Sequence, residues 1–186
     1  MIDPDRKAIG RRHSIRLPAF DYASAGAYFV TIVAAERKCL FGEVGDNTCT
    51  LSALGEVVEN EWRRTAEIRE SVALDEFVVM PNHLHGIIWI KVAADAPTEG
   101  TPPRAPTLRG FGKPVSKSLS TILNNVKGRI TMHSRQLTGI ADQAVWQRGF
   151  YERIIRNEQE LRYTREYIIT NPRLWSEDEE NPARTL

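Results

Sequence analysis

Two histidines stand one residue apart in Met80–Gly86, "MPNHLHG", between two apolar runs. In a strand, residues i and i+2 point to the same face, so His83 and His85 should project side by side while Leu84 enters the core. Two neutral imidazoles on one rigid strand make half a site for a divalent cation. Gly86 reads as room left beside them, and the pair is expected on the surface. A second group lies near the C-terminus, in "RYTREYIITNP", where Tyr163, Tyr167 and Asn171 recur every fourth residue. On a helix that spacing stacks phenols and a carboxamide along one polar stripe. Tyr167 at one turn and Asn171 at the next set a phenol and a carboxamide oxygen on the same side. Each group also has a plainer reading, as polar residues near a turn or as tyrosines half-buried between helix and sheet.

The elements that must position these groups follow from periodicity. "AYFVTIVAAE" (27–36), rich in aromatic and β-branched residues, predicts a first strand. A turn-rich piece and a short strand, "TCTLS", come next. From Ser52 as N-cap, Leu54, Val57, Val58, Trp62 and Thr65 predict a helix over 53–70. Strands at 73–81 and 83–92 are joined by Pro81-Asn82, which is turn chemistry. Residues 93–115 hold five prolines and three glycines and read as a loop. A helix over 116–137, a strand over 144–156 and a helix from Asn157 to Asn171, stopped by Pro172, complete the order. Asn157 and Glu160 resemble a capping box. The result is an α+β, ferredoxin-like β-α-β-β-α-β arrangement with an antiparallel four-stranded sheet, helices on one face, and a C-terminal helix carrying the tyrosine.

The chain has 186 residues, 41% of them hydrophobic and 26% charged, which fits one globular domain with a real core. Its parts are a basic arm (about 1–20), the Pro/Gly-rich loop (about 93–115) and an acidic tail (about 173–186). No apolar run has the roughly 20 residues of a membrane span, and the N-terminus lacks a secretory apolar region. Cys39 and Cys49 read as reduced thiols, and a cytoplasmic location is expected. The net charge of +1 hides an asymmetry: four Lys/Arg face eleven Asp/Glu over 41–100, but twelve face five over 101–172. A basic half beside an acidic one hints at a polyanion-binding face.

With these pieces in hand, the sequence resembles the REP-associated tyrosine transposases, relatives of the HUH-type Y1 single-strand transposases of insertion sequences. The matching pieces are "MPNHLHGII", "VWQRGFYERIIRNEQEL", "REYIITNP" and the opening "RRHSIRLPAFDY" followed by "AYFVTIV". The resemblance spans about Arg11 to Trp175 and departs from compact members in the longer loop at 93–115 and the acidic tail. It implies that His83, His85 and Asn171 ligate Mg²⁺ or Mn²⁺ and that Tyr167 is the nucleophile. It also implies a DNA strand transferase acting through a 5′-phosphotyrosine link, with single-stranded DNA bearing a short palindromic hairpin as partner. Arg11, Arg12, Arg16, Lys117, Lys127, Arg129, Trp146, Arg148, Arg153 and Arg156 are the candidates for holding that DNA. Two rivals stay open: a non-catalytic module for single-stranded nucleic acid, and an HxH metal phosphohydrolase using water. The pattern leaves room for a homodimer and calls for no membrane partner.

Overall fold

The structure, a computed structural model, describes residues 25–91, 118–139 and 144–184. The basic arm with Arg11, Arg12 and Arg16, the Pro/Gly-rich loop and Lys117 lie outside these described residues. The main elements are β1 (Gly26–Val33), a hairpin of β2 (Gly42–Gly45) and β3 (Thr48–Leu51), α1 (Ala53–Glu67), β4 (Val72–Val79), β5 (His83–Ile90), α2 (Leu119–Thr138), β6 (Tyr151–Ile155) and α3 (Glu158–Thr170). A 3-10 helix, Asn171–Glu177, follows α3.

Four strands form one antiparallel sheet in the order β4-β5-β1-β6, the ferredoxin-like topology expected from the element order. Alternation divides its two faces. Tyr28, Val30, Ile32, Leu84 and Ile88 meet Val58 and Trp62 of α1 and Ile122, Leu123 and Val126 of α2 in the larger core. Ala27, Phe29, Ile87 and Ile155 point the other way, onto Leu161 and Ile168 of α3. Both faces are therefore covered, and α3 lies on the histidine side.

Local chemistry sets the helix ends. Ser52, Ser118 and Asn157 each accept a backbone N–H of the first turn of α1, α2 and α3. Gly139 closes α2 with φ 69, a left-handed conformation that costs glycine little. In the Asn157–Glu160 pair, Asn157 caps the Glu160 N–H at 2.8 Å, while the Glu160 carboxylate accepts from the Arg156 N–H at 3.0 Å.

Several boundaries differ from the sequence expectation. The first strand stops at Val33, because Glu36 and Arg37 take positive φ values of 55 and 56 and turn the chain away. The fourth main strand is only Tyr151–Ile155. Its expected N-terminal part instead forms an isolated bridge from Trp146 to Ala34, and Gly149 at φ 78 bends the chain before the ladder begins. The last helix ends where expected, at Thr170 with Asn171 as its C-cap, but the chain continues in a 3-10 helix and does not leave the helical path. Pro172 sits in the first turn of the 3-10 helix, where its missing N–H has no partner to lose.

Candidate active site

The β5 pairing sets the site's direction. His83, His85, Ile87 and Trp89 share the face turned to α3, opposite Val33, Thr31, Phe29 and Ala27 of β1. The two imidazole centroids are 4.4 Å apart, so the side-by-side expectation holds. The surface expectation does not: His83 is 0% and His85 4% exposed, because α3 and the segment after it close over them. The expected role of Gly86 is also corrected. It faces α1, where a Cβ would come within 2.5 Å of Trp62 Cζ2, so the missing side chain makes room for the indole and not for an ion.

Each imidazole is held by its Nδ1. The Asn82 Nδ2 donates to the Arg37 carbonyl at 2.9 Å and the Glu180 carbonyl at 2.7 Å, which turns its Oδ1 toward His83 Nδ1, 2.9 Å away. His83 must then donate through Nδ1 and keep its lone pair on Nε2. That Nε2 is buried without a hydrogen-bond partner, and so is the Asn171 Oδ1. His85 Nδ1 lies 2.8 Å from Thr31 Oγ1, and its Nε2 is 3.3 Å from the Tyr167 phenol oxygen. Phe29 stacks on the His85 ring at 5.4 Å and meets Tyr167 edge-on.

The tail completes the enclosure. Asp178 accepts from the Asn171 Nδ2 at 3.1 Å and stands 4.0 Å from His83 Nε2, too far for a hydrogen bond. Trp175 packs beside His83, and Glu180 pairs with Arg37 at 3.0 Å. His83, His85 and Asp178 thus offer ligand atoms within 4.8 Å of one another, a group able to hold a divalent metal. Burial holds both imidazoles neutral by lowering their pKa values; Asp178 and Glu180 oppose this at His83, and the neighbouring His83 reinforces it at His85. Burial raises the Tyr167 pKa, and Asp178, Glu179 and Glu180 push it further up.

Of the three tyrosines near the basic half, Tyr167 is the one against an imidazole. Tyr163 is 54% exposed and accepts a hydrogen bond from Gln159, and Tyr151 lies across Phe29. The residues proposed for DNA contact divide. Lys127 donates to the carbonyls of Gln147 and Gly149, and Arg129 is engaged by the buried Glu61 and the hydroxyl of Thr65, so both serve the fold. Trp146 packs on Phe41 at 4.9 Å, and Arg153 donates to Thr164 of α3. Arg148 and Arg156 are exposed.

No protein-family model matches the chain. An uncharacterized protein of Haemophilus influenzae is 38% identical over 175 residues, covering 92% of this chain and 93% of that one. The two proteins belong to one family. A REP-associated tyrosine transposase, solved bound to a REP hairpin, superposes with a TM-score of 0.52 at 21% identity over 87% of this chain and 70% of its own. The fold is that transposase fold. Among the described residues no helix is long and apolar enough to cross a membrane.

Within this fold, sequence reasoning missed Asn82, Thr31 and Asp178. Asn82 had a signal, since it directly precedes His83 and its amide can bond the neighbouring ring. Thr31 could be found only from the β1–β5 register, and Asp178 only from the path of the tail.

Proposed function

We propose that this protein is a divalent-metal-dependent strand transferase of the transposase type. It cleaves and rejoins single-stranded DNA beside short hairpins through a 5′-phosphotyrosine link on Tyr167. The observation that carries this reading is the Tyr167 phenol oxygen, 3.3 Å from His85 Nε2 and beside buried, unpartnered acceptors on His83 and Asn171. Acceptors converging without donors suit a cation, so His83, His85 and Asn171 are the proposed ligands of Mg²⁺ or Mn²⁺, with the Asp178 carboxylate within reach. A bound ion would polarise the scissile phosphate and take up charge developing on its oxygens.

The protein's own groups supply the rest. Phe29 and the Thr31 hydroxyl fix the His85 ring, and the Asn82 amide fixes His83. As the Tyr167 Oη–P bond forms, the P–O3′ bond breaks; the phenol proton leaves Oη, and the departing 3′ oxygen gains one. No water is consumed, and a 3′-hydroxyl attacking the phosphotyrosine reverses the step. With its single Nε2 lone pair on the cation, His85 does not also take the phenol proton, which passes to solvent while the departing 3′ oxygen takes one from solvent. Since His83 is fully buried, DNA reaches this centre only when the Trp175–Glu180 segment moves aside. The hairpin-bound transposase of the same fold supports DNA hairpins as substrates.

The test is adduct formation on single-stranded hairpin DNA with Mn²⁺ or Mg²⁺, followed by peptide mapping. DNA should be found on Tyr167, be absent from Tyr167→Phe, persist in Tyr163→Phe and vanish in EDTA. Adduct on Tyr163 or Tyr151 would overturn the assignment. Cleavage without any adduct would point to water as the nucleophile, and binding without cleavage to a passive module.

A further inference from the structure

We infer that Asp75 and Arg165 form a positioning clamp that sets the rotation of α3 and so the placement of Tyr167; the catalytic part of this inference rests on the function proposed above. The clamp begins with a fault in strand alternation. In "VALDEFVV", Leu74 and Phe77 both face the α1–α2 core although they are three residues apart. The ladder accommodates this with a bulge: Leu74 pairs with Ile88 and Phe77 with Gly86, so one extra residue is inserted in β4. Asp75, at that bulge, is turned toward α3.

Four hydrogen bonds converge on its carboxylate. Arg165 Nε and Nη2 donate to Oδ1 and Oδ2, both at 2.7 Å, in a two-pronged pair. Trp89 Nε1 donates to Oδ2 at 3.0 Å and the Glu76 N–H to Oδ1 at 2.8 Å. These hold the carboxyl at a pKa of about 2, with Arg165 the largest cause. A solvated surface pair needs neither the bulge nor the indole. This arrangement is built.

Helix geometry says what it controls. At 3.6 residues per turn, Arg165 and Tyr167 stand about 160° apart around the axis, with Leu161, Thr164 and Ile168 between them. Those three residues are buried against the sheet, so Arg165 emerges on one flank of the contact and Tyr167 on the other. The Arg165 fork, anchored on the sheet through Asp75, resists rotation of α3 about its axis. A side-chain atom roughly 6 Å from the axis moves about 1 Å for each 10° of rotation. A misplacement of that size can cost about a hundredfold in rate. Arg153, donating to Thr164 at 3.2 Å, holds the helix from β6.

The experiment compares the full-length chain with Asp75→Asn, which keeps the shape and loses the charge, and Arg165→Lys, which keeps the charge and loses the fork. Tyrosine nitration by tetranitromethane, mapped by peptide, reads the geometry without DNA. Tyr163, exposed on the same helix, and Tyr28, fully buried under α1 and α2, serve as internal controls. Tyr167, half-buried between Phe29 and His85, should be nitrated faster in both variants than in the wild type, while Tyr28 stays protected and Tyr163 is unchanged. In parallel, the single-turnover adduct rate at saturating hairpin DNA should fall roughly a hundredfold with hairpin affinity retained. An unchanged nitration rate at Tyr167, or an unchanged adduct rate in a chain whose wild type forms adduct, would overturn the clamp. Reactive Tyr28 in both variants would show a prop for the whole fold and would also overturn it. If the wild type forms no adduct, the strand-transfer reading falls, and nitration alone decides whether the pair sets Tyr167.

Discussion

Gly86→Ala tests the packing behind the histidine strand. The new methyl would lie 2.5 Å from Trp62 Cζ2, 3.0 Å from Cε2 and 3.2 Å from Phe77 Cβ. Trp62 is fully buried, so the indole has no open side to move into. Overpacking of this kind costs about 1–3 kcal/mol, and replacing a strand glycine by alanine returns about 0.5–1 kcal/mol of backbone entropy. A contact of 2.5 Å forces the neighbours to shift, which puts the cost in the upper part of the overpacking range, so the net expectation is a loss of about 1–2.5 kcal/mol, or a Tm lower by about 2–10 °C for a domain of this size. Urea and thermal melts measure it. Trp62→Phe removes the colliding ring atoms, so its cost should be smaller in the Gly86→Ala background by about 1 kcal/mol, a coupling that a double-mutant cycle reads. Because Gly86 faces away from the imidazoles, Mn²⁺ affinity should survive. A neutral Gly86→Ala, a coupling of zero, or selective loss of metal binding in a stable variant would refute this account.

Metal binding has a readout independent of cleavage. Mn²⁺ at a hundredfold excess over its Kd should stabilise the wild type by about 2.7 kcal/mol, and EDTA should reverse the shift in Tm. His83→Ala should lose most of that shift, and an equal shift in the variant would remove His83 from the ligand set. The Asp75 carboxyl is held at a pKa of about 2 against an ordinary 3.8, so its stabilisation is complete above the unfolded value and is lost as pH falls through the folded one. Arg165 is 38% open to solvent, which screens the pair and limits this contribution to at most about 2 kcal/mol. Asp75→Asn should therefore be less stable than wild type at neutral pH, with the gap closing between about pH 4 and 2; a gap independent of pH would exclude the ion pair as its source.

The element order, the shared face of His83 and His85, and a last helix carrying Tyr167 and ending at Asn171 were all legible in the sequence. They rest on local periodicities of two and of 3.6 residues, which a chain must obey wherever it is placed. Even the bulge left a mark, in the broken alternation at Asp75 and Glu76, although nothing nearby names Arg165 as the partner. Tertiary structure decided what periodicity cannot carry. The register of β1 on β5 brought Thr31 to His85, and the tail's path brought Asp178 and Glu180 over His83. It also decided which cations have partners within the protein: Lys127 donates to the carbonyls of Gln147 and Gly149, and Arg129 pairs with the buried Glu61 carboxylate. A side chain's type says which bonds it can make. Its partners depend on contacts between residues distant in sequence, and packing alone settles those.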